Sequence, residues 1–96
     1  MLQLRPSCEH CAKALAPDST EARICSFECT FCSDCVESVL HNVCPNCGGG
    51  FVPRPARPAN KLANNPASNV EVLKPVDLEQ HQTVSLALRD ILAEKR

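Results

Sequence analysis

CSFECTFCSDC, residues 25–35, places four cysteines within eleven residues of a 96-residue chain. Two more pairs flank this segment, CEHC at residues 8–11 and CPNC at residues 44–47. Four close pairs of thiols are what two tetrahedral zinc ions require, because a turn with two intervening residues directs both sulfurs to one metal. We therefore predict two Zn²⁺ ions as cofactors, with the ligands Cys8, Cys11, Cys25, Cys29, Cys32, Cys35, Cys44 and Cys47.

The first half of the chain offers little else for a core. The chain has no Trp or Tyr and only three Phe. About fifty residues of this composition are too few to hold a fold without metals or disulfides. A structural zinc site contributes on the order of 10 kcal/mol or more to folding. We expect residues 1–50 to be unfolded without metal.

Disulfides are the alternative use of eight cysteines, and the expected compartment argues against them. The N-terminus, MLQLRPSC, lacks the basic region and apolar run of a signal peptide, and no stretch is long enough to span a membrane. We therefore predict a cytoplasmic protein without membrane attachment. Because the cytoplasm keeps thiols reduced, zinc is favoured over disulfides, iron or a redox role.

Charge also differs between the two halves. Residues 1–50 carry three basic and six acidic side chains, and residues 51–96 carry seven basic and five acidic ones. Zinc-bound thiolates would make the first half still more negative. Phosphate backbones require clustered Lys and Arg, so we do not expect nucleic acid as a partner. The basic cluster Arg54, Arg57 and Lys61 is predicted to be solvated.

The apolar pattern predicts a short β-hairpin and one helix within residues 1–50. The arms of the hairpin are expected at residues 23–25 and 30–32. A helix over residues 36–43 is expected to be capped by Asp34 and ended by Pro45. One of its faces is apolar at i, i+3, i+4 and i+7, namely Val36, Val39, Leu40 and Val43.

The second half is predicted to contain a linker and a second helix. Residues 51–76 are rich in Pro, Ala and Asn and are expected to be extended, without a core of their own. An amphipathic helix is expected over residues 77–96, with Asp77 as its N-cap. Its apolar stripe consists of Val84, Leu88, Ile91 and Leu92. This stripe could dock on the module, bind a partner helix or pair with a second copy of the chain, and the sequence leaves all three open.

The cysteines can be assigned to two metals in sequential or interleaved order. If residues 36–43 are helical, Cys35 and Cys44 lie roughly 13 Å apart, whereas two sulfurs on one zinc lie within about 4 Å. The helix thus favours the interleaved order, with Cys8, Cys11, Cys32 and Cys35 on one metal and Cys25, Cys29, Cys44 and Cys47 on the other. A loop would restore the sequential order, in which Cys8, Cys11, Cys25 and Cys29 share one metal.

Over about residues 8–47 the chain resembles a RING-type zinc domain. The pairs CEHC and CPNC, the central CSFECTFCSDC and the helix between them follow that family's order and spacing. The resemblance implies an interleaved cross-brace and a treble-clef hairpin and helix. The fourth ligand, usually a histidine in that family, is Cys29 here.

The family includes ubiquitin ligases, and this chain departs from them at two positions. In those ligases an apolar residue between the first two cysteines helps to hold the conjugating enzyme, and a basic residue commonly follows the last cysteine. Here Glu9 and His10 stand between the first two cysteines, and Gly48 follows the last one. Both departures weaken the expectation of ligase activity.

The whole chain is also similar to a domain-of-unknown-function family of short, mostly bacterial, cysteine-rich proteins. The segments that carry this likeness are the LRP start, ARICSFECTFC at residues 22–32 and CPNCGG at residues 44–49. The resemblance implies a zinc-binding protein of unsettled function. A bacterial source would argue against a native ubiquitin pathway.

These observations predict a small zinc-stabilised α+β protein: a RING-like module over residues 1–50, a linker over 51–76 and a helix over 77–96. Sites with four cysteine ligands are closed, and no phosphate loop or activated nucleophile is visible. His10 and His41 are expected at the surface. We predict a non-catalytic module for protein–protein interaction, with an unidentified protein partner and self-association through the second helix as an option. A RING-type ubiquitin ligase and a nucleic-acid-binding zinc protein are the alternatives.

Overall fold

The computed structural model describes all 96 residues and contains a three-stranded antiparallel sheet. Strands β1 (Ala22–Ile24) and β2 (Thr30–Cys32) form a hairpin in which Arg23 faces Phe31. Glu28, in the turn between them, has the left-handed conformation that reverses the chain (φ 64°). The expected hairpin is present, with its first arm one residue earlier than predicted.

The third strand, β3 (Val52–Pro53), was not expected from the sequence. It pairs antiparallel with β1 and forms an edge of the sheet. Proline has no N–H to donate, and an edge strand tolerates this because no further strand pairs with its outer side. The pairing continues with the Arg54 N–H, which donates to the Ala22 carbonyl at 2.9 Å. The sheet therefore includes chain beyond residue 50. The division of the chain at residues 50 and 76 stays a prediction.

The helical segment after β2 is as long as predicted, but it begins and ends three residues earlier and consists of two parts. Helix α1 (Ser33–Cys35) is a single turn, and a π-helical turn over Val36–Leu40 continues it. The prediction of Asp34 as the N-cap is wrong, because the helix begins at Ser33 and its N-cap is Cys32, two residues before Asp34. His41 ends the segment in a left-handed conformation (φ 52°).

The core consists largely of cysteine. Six of the eleven residues in the main buried cluster are cysteines, and the others are Leu15, Ala22, Phe31, Val36 and Leu40. Phe51, from beyond the predicted module, packs edge-on against Phe31 with ring centroids 5.5 Å apart. A core of this composition has little apolar area to bury, which agrees with the expectation that metal supports the fold.

Apart from strand β3, the regular structure of residues 51–76 is a 3₁₀ turn at Ala59–Lys61. Arg54 is only 5% exposed and donates to the carbonyls of Arg5 and Ala16, each at 2.8 Å. Arg57 donates to the carbonyls of Leu2 and Asn65. The prediction that both arginines are solvated is therefore wrong, since each guanidinium satisfies backbone carbonyls of neighbouring loops.

Helix α2 (Leu78–Leu88) is shorter than the predicted helix over 77–96, and a 3₁₀ turn at Ala93–Lys95 follows it. Asp77 is confirmed as the N-cap, because its Oδ1 accepts the Gln80 N–H at 3.1 Å. The predicted apolar stripe does not form the buried face, since Leu88 alone is half-buried and the others are exposed.

The face of α2 that contacts the first half is polar instead. His81 and Ser85 are its buried residues, at 4% and 0% exposure. His81 Nε2 lies 3.0 Å from the Leu40 carbonyl and donates to it, because a carbonyl can only accept. Helix α2 thus docks beside the end of the π-helical turn. No helix in the structure combines the length and apolar composition needed to cross a membrane.

Candidate metal centres

The cysteine sulfurs converge in two groups, in the interleaved order. The first group contains four Sγ atoms within 4.8 Å of one another, those of Cys8, Cys11, Cys32 and Cys35. The second contains the Sγ atoms of Cys25, Cys44 and Cys47 within the same limit. All eight cysteines are free thiols. Each group could hold a metal ion.

The first centre joins a loop to the start of helix α1. An isolated bridge between Ser7 and Ala14 closes the loop that carries CEHC, and the Cys8 N–H donates to the Lys13 carbonyl at 2.9 Å. Cys32 and Cys35 lie three residues apart at the N-cap and the end of α1, so their side chains share one face. The Sγ atoms of Cys11 and Cys32 are 3.7 Å apart. Two sulfurs at about 2.3 Å from a tetrahedral zinc would be about 3.8 Å apart.

The second centre joins the turn of the β-hairpin to the CPNC loop. The Cys25 N–H donates to the Cys29 carbonyl at 3.2 Å, which places both residues at the end of the hairpin. In the other loop, the Gly48 N–H donates to the Cys44 carbonyl at 2.9 Å, and Gly48 has a positive φ of 77°. Glycine adopts this conformation without strain, so the loop can turn both of its sulfurs inward.

Cys29 lies at the side of the second centre. Its Sγ is not within 4.8 Å of all three other sulfurs, although its thiol contacts those of Cys25 and Cys44. The Asn46 side chain donates to Cys29 Sγ at 3.4 Å. Cys29 is therefore the available fourth ligand, and it would complete a set of four cysteines at this centre.

N–H groups point at several of these sulfurs. The Phe27 N–H donates to Cys25 Sγ and the Gly49 N–H donates to Cys47 Sγ, each at 3.4 Å. Such donors stabilise a thiolate and orient it toward a metal. The Asn46 contact with Cys29 belongs to the same class, and the spacing of the cysteines in the sequence gives no sign of it.

Burial opposes ionisation of four of the eight thiols in the absence of a cation. Burial raises the pKa of Cys29, Cys32, Cys35 and Cys44. Burial also acts to raise the pKa of Cys11, but hydrogen bonds from the Lys13 backbone and from neighbouring thiols lower it overall. Buried thiols that share one small space cannot all be thiolates without a compensating charge. A divalent cation supplies that charge, and its binding would release protons.

The residues between the first two cysteines are packed against the second half of the chain. Glu9 is 3% exposed, and its carboxylate accepts from Arg5 Nη1 at 2.7 Å and from the Thr30 N–H. The Lys74 N–H donates to the Glu9 carbonyl at 2.8 Å, and the Val76 N–H donates to His10 Nδ1 at 2.9 Å. His10 is thus a half-buried acceptor rather than the expected surface histidine, whereas His41 is exposed.

Comparison with known proteins agrees with the second resemblance found in the sequence. "Uncharacterized protein R02474" of Rhizobium meliloti (strain 1021) is 59% identical over 75 residues, which cover 78% of this chain and 89% of that protein. No solved structure matches the chain. A family model described as "Protein of unknown function (DUF1272)" matches residues 1–57, a range that contains all eight cysteines, β3, Arg54 and Arg57. The chain therefore belongs to this DUF1272 family of proteins of unknown function.

Proposed function

We propose that the protein is a non-catalytic structural-zinc module of RING-like cross-brace type that serves protein–protein interaction in the cytoplasm. The observation that carries the proposal is the convergence of sulfurs from separate loops. Cys8 and Cys11 meet Cys32 and Cys35, while the hairpin turn between them meets the CPNC loop. The ligands of the two centres therefore alternate in pairs along the chain, which is the arrangement that the RING resemblance implies.

The donor sets fit zinc and a structural role. Four sulfurs in a small, mostly buried space match a tetrahedral soft-ligand site, which zinc and iron both occupy. We assign zinc because the cysteines form most of the core and a redox-inactive ion suits that role. A site filled by four thiolates has no position for water or substrate, so the module is proposed to be non-catalytic.

A ubiquitin ligase is less well supported. The stretch that helps to hold a conjugating enzyme in such ligases is Glu9–His10 here, and the Glu9 carboxylate is buried against Arg5 and Thr30. Residues 74–76 lie across the same loop. Purified protein incubated with ubiquitin, its activating enzyme and a panel of conjugating enzymes should form no ubiquitin chains. Chain formation would replace the proposed function by a ligase.

Nucleic-acid binding loses support from the basic cluster. Two of its three members, Arg54 and Arg57, donate to backbone carbonyls, and Lys61 is the exposed one. Protein interaction is supported by the exposed large apolar side chains in the last quarter of the chain, which are Leu73, Leu78, Val84, Leu86, Ile91 and Leu92. Self-association through this region is part of the proposal.

Native mass spectrometry tests the proposal directly. Freshly purified protein should carry two zinc ions that are lost on denaturation, and all eight thiols should then react with an alkylating reagent. The native mass also reports dimer formation. Bound iron, intramolecular disulfides or a metal-free folded protein would contradict the assignment of two structural zinc sites.

A further inference from the structure

Each centre has one cysteine that faces solvent. Cys11 in the first centre and Cys47 in the second are exposed, and the other six cysteines are buried. Oxidation of protein sulfur follows thiolate character and access to the oxidant. A water-soluble oxidant therefore reaches Cys11 and Cys47 before the remaining ligands.

The two exposed cysteines stand in different loops. Residues 11–14 are exposed without interruption, and the contacts that tie this loop to the second half of the chain lie before Cys11, at Glu9 and His10. The loop after Cys47 is held from outside, because Arg96 Nη1 donates to the Gly48 carbonyl at 3.1 Å and the Leu88 side chain lies against Gly48. Cys11 also has a sulfur neighbour at 3.7 Å, Cys32. A disulfide of about 2.05 Å requires these two sulfurs to approach each other by roughly 1.7 Å.

We propose that Cys11 is an oxidation site for hydroperoxides, and that Cys32 converts the oxidised Cys11 into a disulfide that dismantles the first metal centre while the second is retained. The proposal rests on the zinc binding proposed above.

The reaction balances with a hydroperoxide as the only oxidant. Cys11 Sγ attacks the terminal oxygen, an S–O bond forms, the O–O bond breaks, and the alcohol or water leaves after taking up a proton. Cys32 Sγ then attacks Cys11 Sγ, the S–S bond forms, and the S–O bond breaks with release of water after a second protonation. Two electrons pass from the two sulfurs to the hydroperoxide. Cys8 and Cys35 remain, and two thiolates are too few to hold a tetrahedral ion.

The first experiment uses the zinc-loaded full chain and one equivalent of hydrogen peroxide. Zinc content and free thiols are measured beforehand, so that absence of zinc at this stage counts against the proposed function and not against the oxidation site. We then expect release of one of the two zinc ions and, by alkylation and peptide mass mapping, a Cys11–Cys32 disulfide. A thiol reductant and added zinc should restore the starting state. Loss of both ions together, a different disulfide or unchanged thiols would overturn the proposal.

A pair of histidine variants separates the two exposed positions. Histidine is also a zinc ligand, so Cys11→His and Cys47→His can each keep the ion while removing the exposed thiol. We expect Cys11→His to slow peroxide-driven zinc release by about tenfold or more, and Cys47→His to leave it unchanged. The reverse ranking would refute the assignment of Cys11. If a variant fails to hold zinc, the disulfide map of the unmodified protein decides alone.

Discussion

Residues 1–50 and residues 51–96 are joined to the same small core by different kinds of group. In the first half, cysteines supply six of the eleven core residues, and their spacing along the chain brings them together. In the second half, Arg54, Arg57 and His81 attach the chain by donating to backbone carbonyls of the first half or its neighbouring loops. The first kind of contact leaves a strong pattern in the sequence, and the second leaves almost none.

The largest effect is expected from breaking a metal centre in the first half. Cys32→Ser and Cys44→Ser should each lose one zinc ion and most of the fold, because a site is worth on the order of 10 kcal/mol and a typical domain has only about 5–15 kcal/mol of net stability. Zinc content and NMR spectra measure this. Ser26→Ala, an exposed change in the hairpin turn beside Cys25, is the control. A cysteine variant with two zinc ions and a native-like spectrum would refute that ligand.

Removing the metal chemically tests the same half without a substitution. We expect a strong chelator to unfold the protein at neutral pH and the addition of zinc to refold it. Acid should act like the chelator, because protons compete with metal for thiolates, and the raised pKa values of Cys29, Cys32, Cys35 and Cys44 strengthen that competition. Circular dichroism follows both transitions. Retention of the folded signal in excess chelator would mean that the apolar core suffices.

A smaller but clear effect is expected from Arg54 in the second half. Arg54→Ala removes a buried charged donor and leaves the carbonyls of Arg5, Leu15 and Ala16 without it. Loss of such contacts should lower the free energy of unfolding of the zinc-loaded protein by about 2–3 kcal/mol. Urea unfolding measures it, with the exposed Lys61→Ala as a matched control that should change by no more than about 0.5 kcal/mol. Equal free energies of unfolding for both variants would mean that the Arg54 contacts do not stabilise the fold.

The contrast between the halves also explains what could be predicted from the sequence. The interleaved grouping of the cysteines followed from the expected helix, although that helix proved to be α1 and a π-helical turn. The hairpin and the Asp77 cap were equally local features. Strand β3 has only two residues, one of them Pro53, and no propensity argument identifies such a strand.

The docked face of α2 was missed for a different reason. The apolar residues Val84, Ile91 and Leu92 suggested a stripe, but helix α2 ends at Leu88, so the last two lie beyond it. The buried positions are the polar His81 and Ser85, four residues apart on one face. Hydropathy gives a histidine no reason to be buried, and its partner, the Leu40 carbonyl, is a backbone group that no side-chain pattern reveals.

His81 provides a test of that docking. His81→Ala removes the hydrogen bond from the α2 side chain to the Leu40 carbonyl. This loss should weaken the docking of α2 by about 1–2 kcal/mol. Amide hydrogen exchange should become faster in residues 78–88 while the hairpin stays protected. Gln82→Ala, at an exposed position of the same helix, is the matched control. Unchanged exchange in α2 would show that other contacts hold the helix.

The smallest effect on the folded monomer is expected at the exposed leucines of the second half, Leu86 and Leu92, which are 60% and 66% exposed. If they mediate the proposed self-association, Leu86→Lys and Leu92→Lys should change the free energy of unfolding by no more than about 0.5 kcal/mol while abolishing dimers. Light scattering over a range of protein concentrations measures the second effect. Val52→Lys, at an equally exposed apolar position on β3, controls for the added charge. If the unsubstituted protein is a monomer at every concentration, self-association is removed from the proposal. The exposed apolar side chains of the second half would then bind a different protein partner.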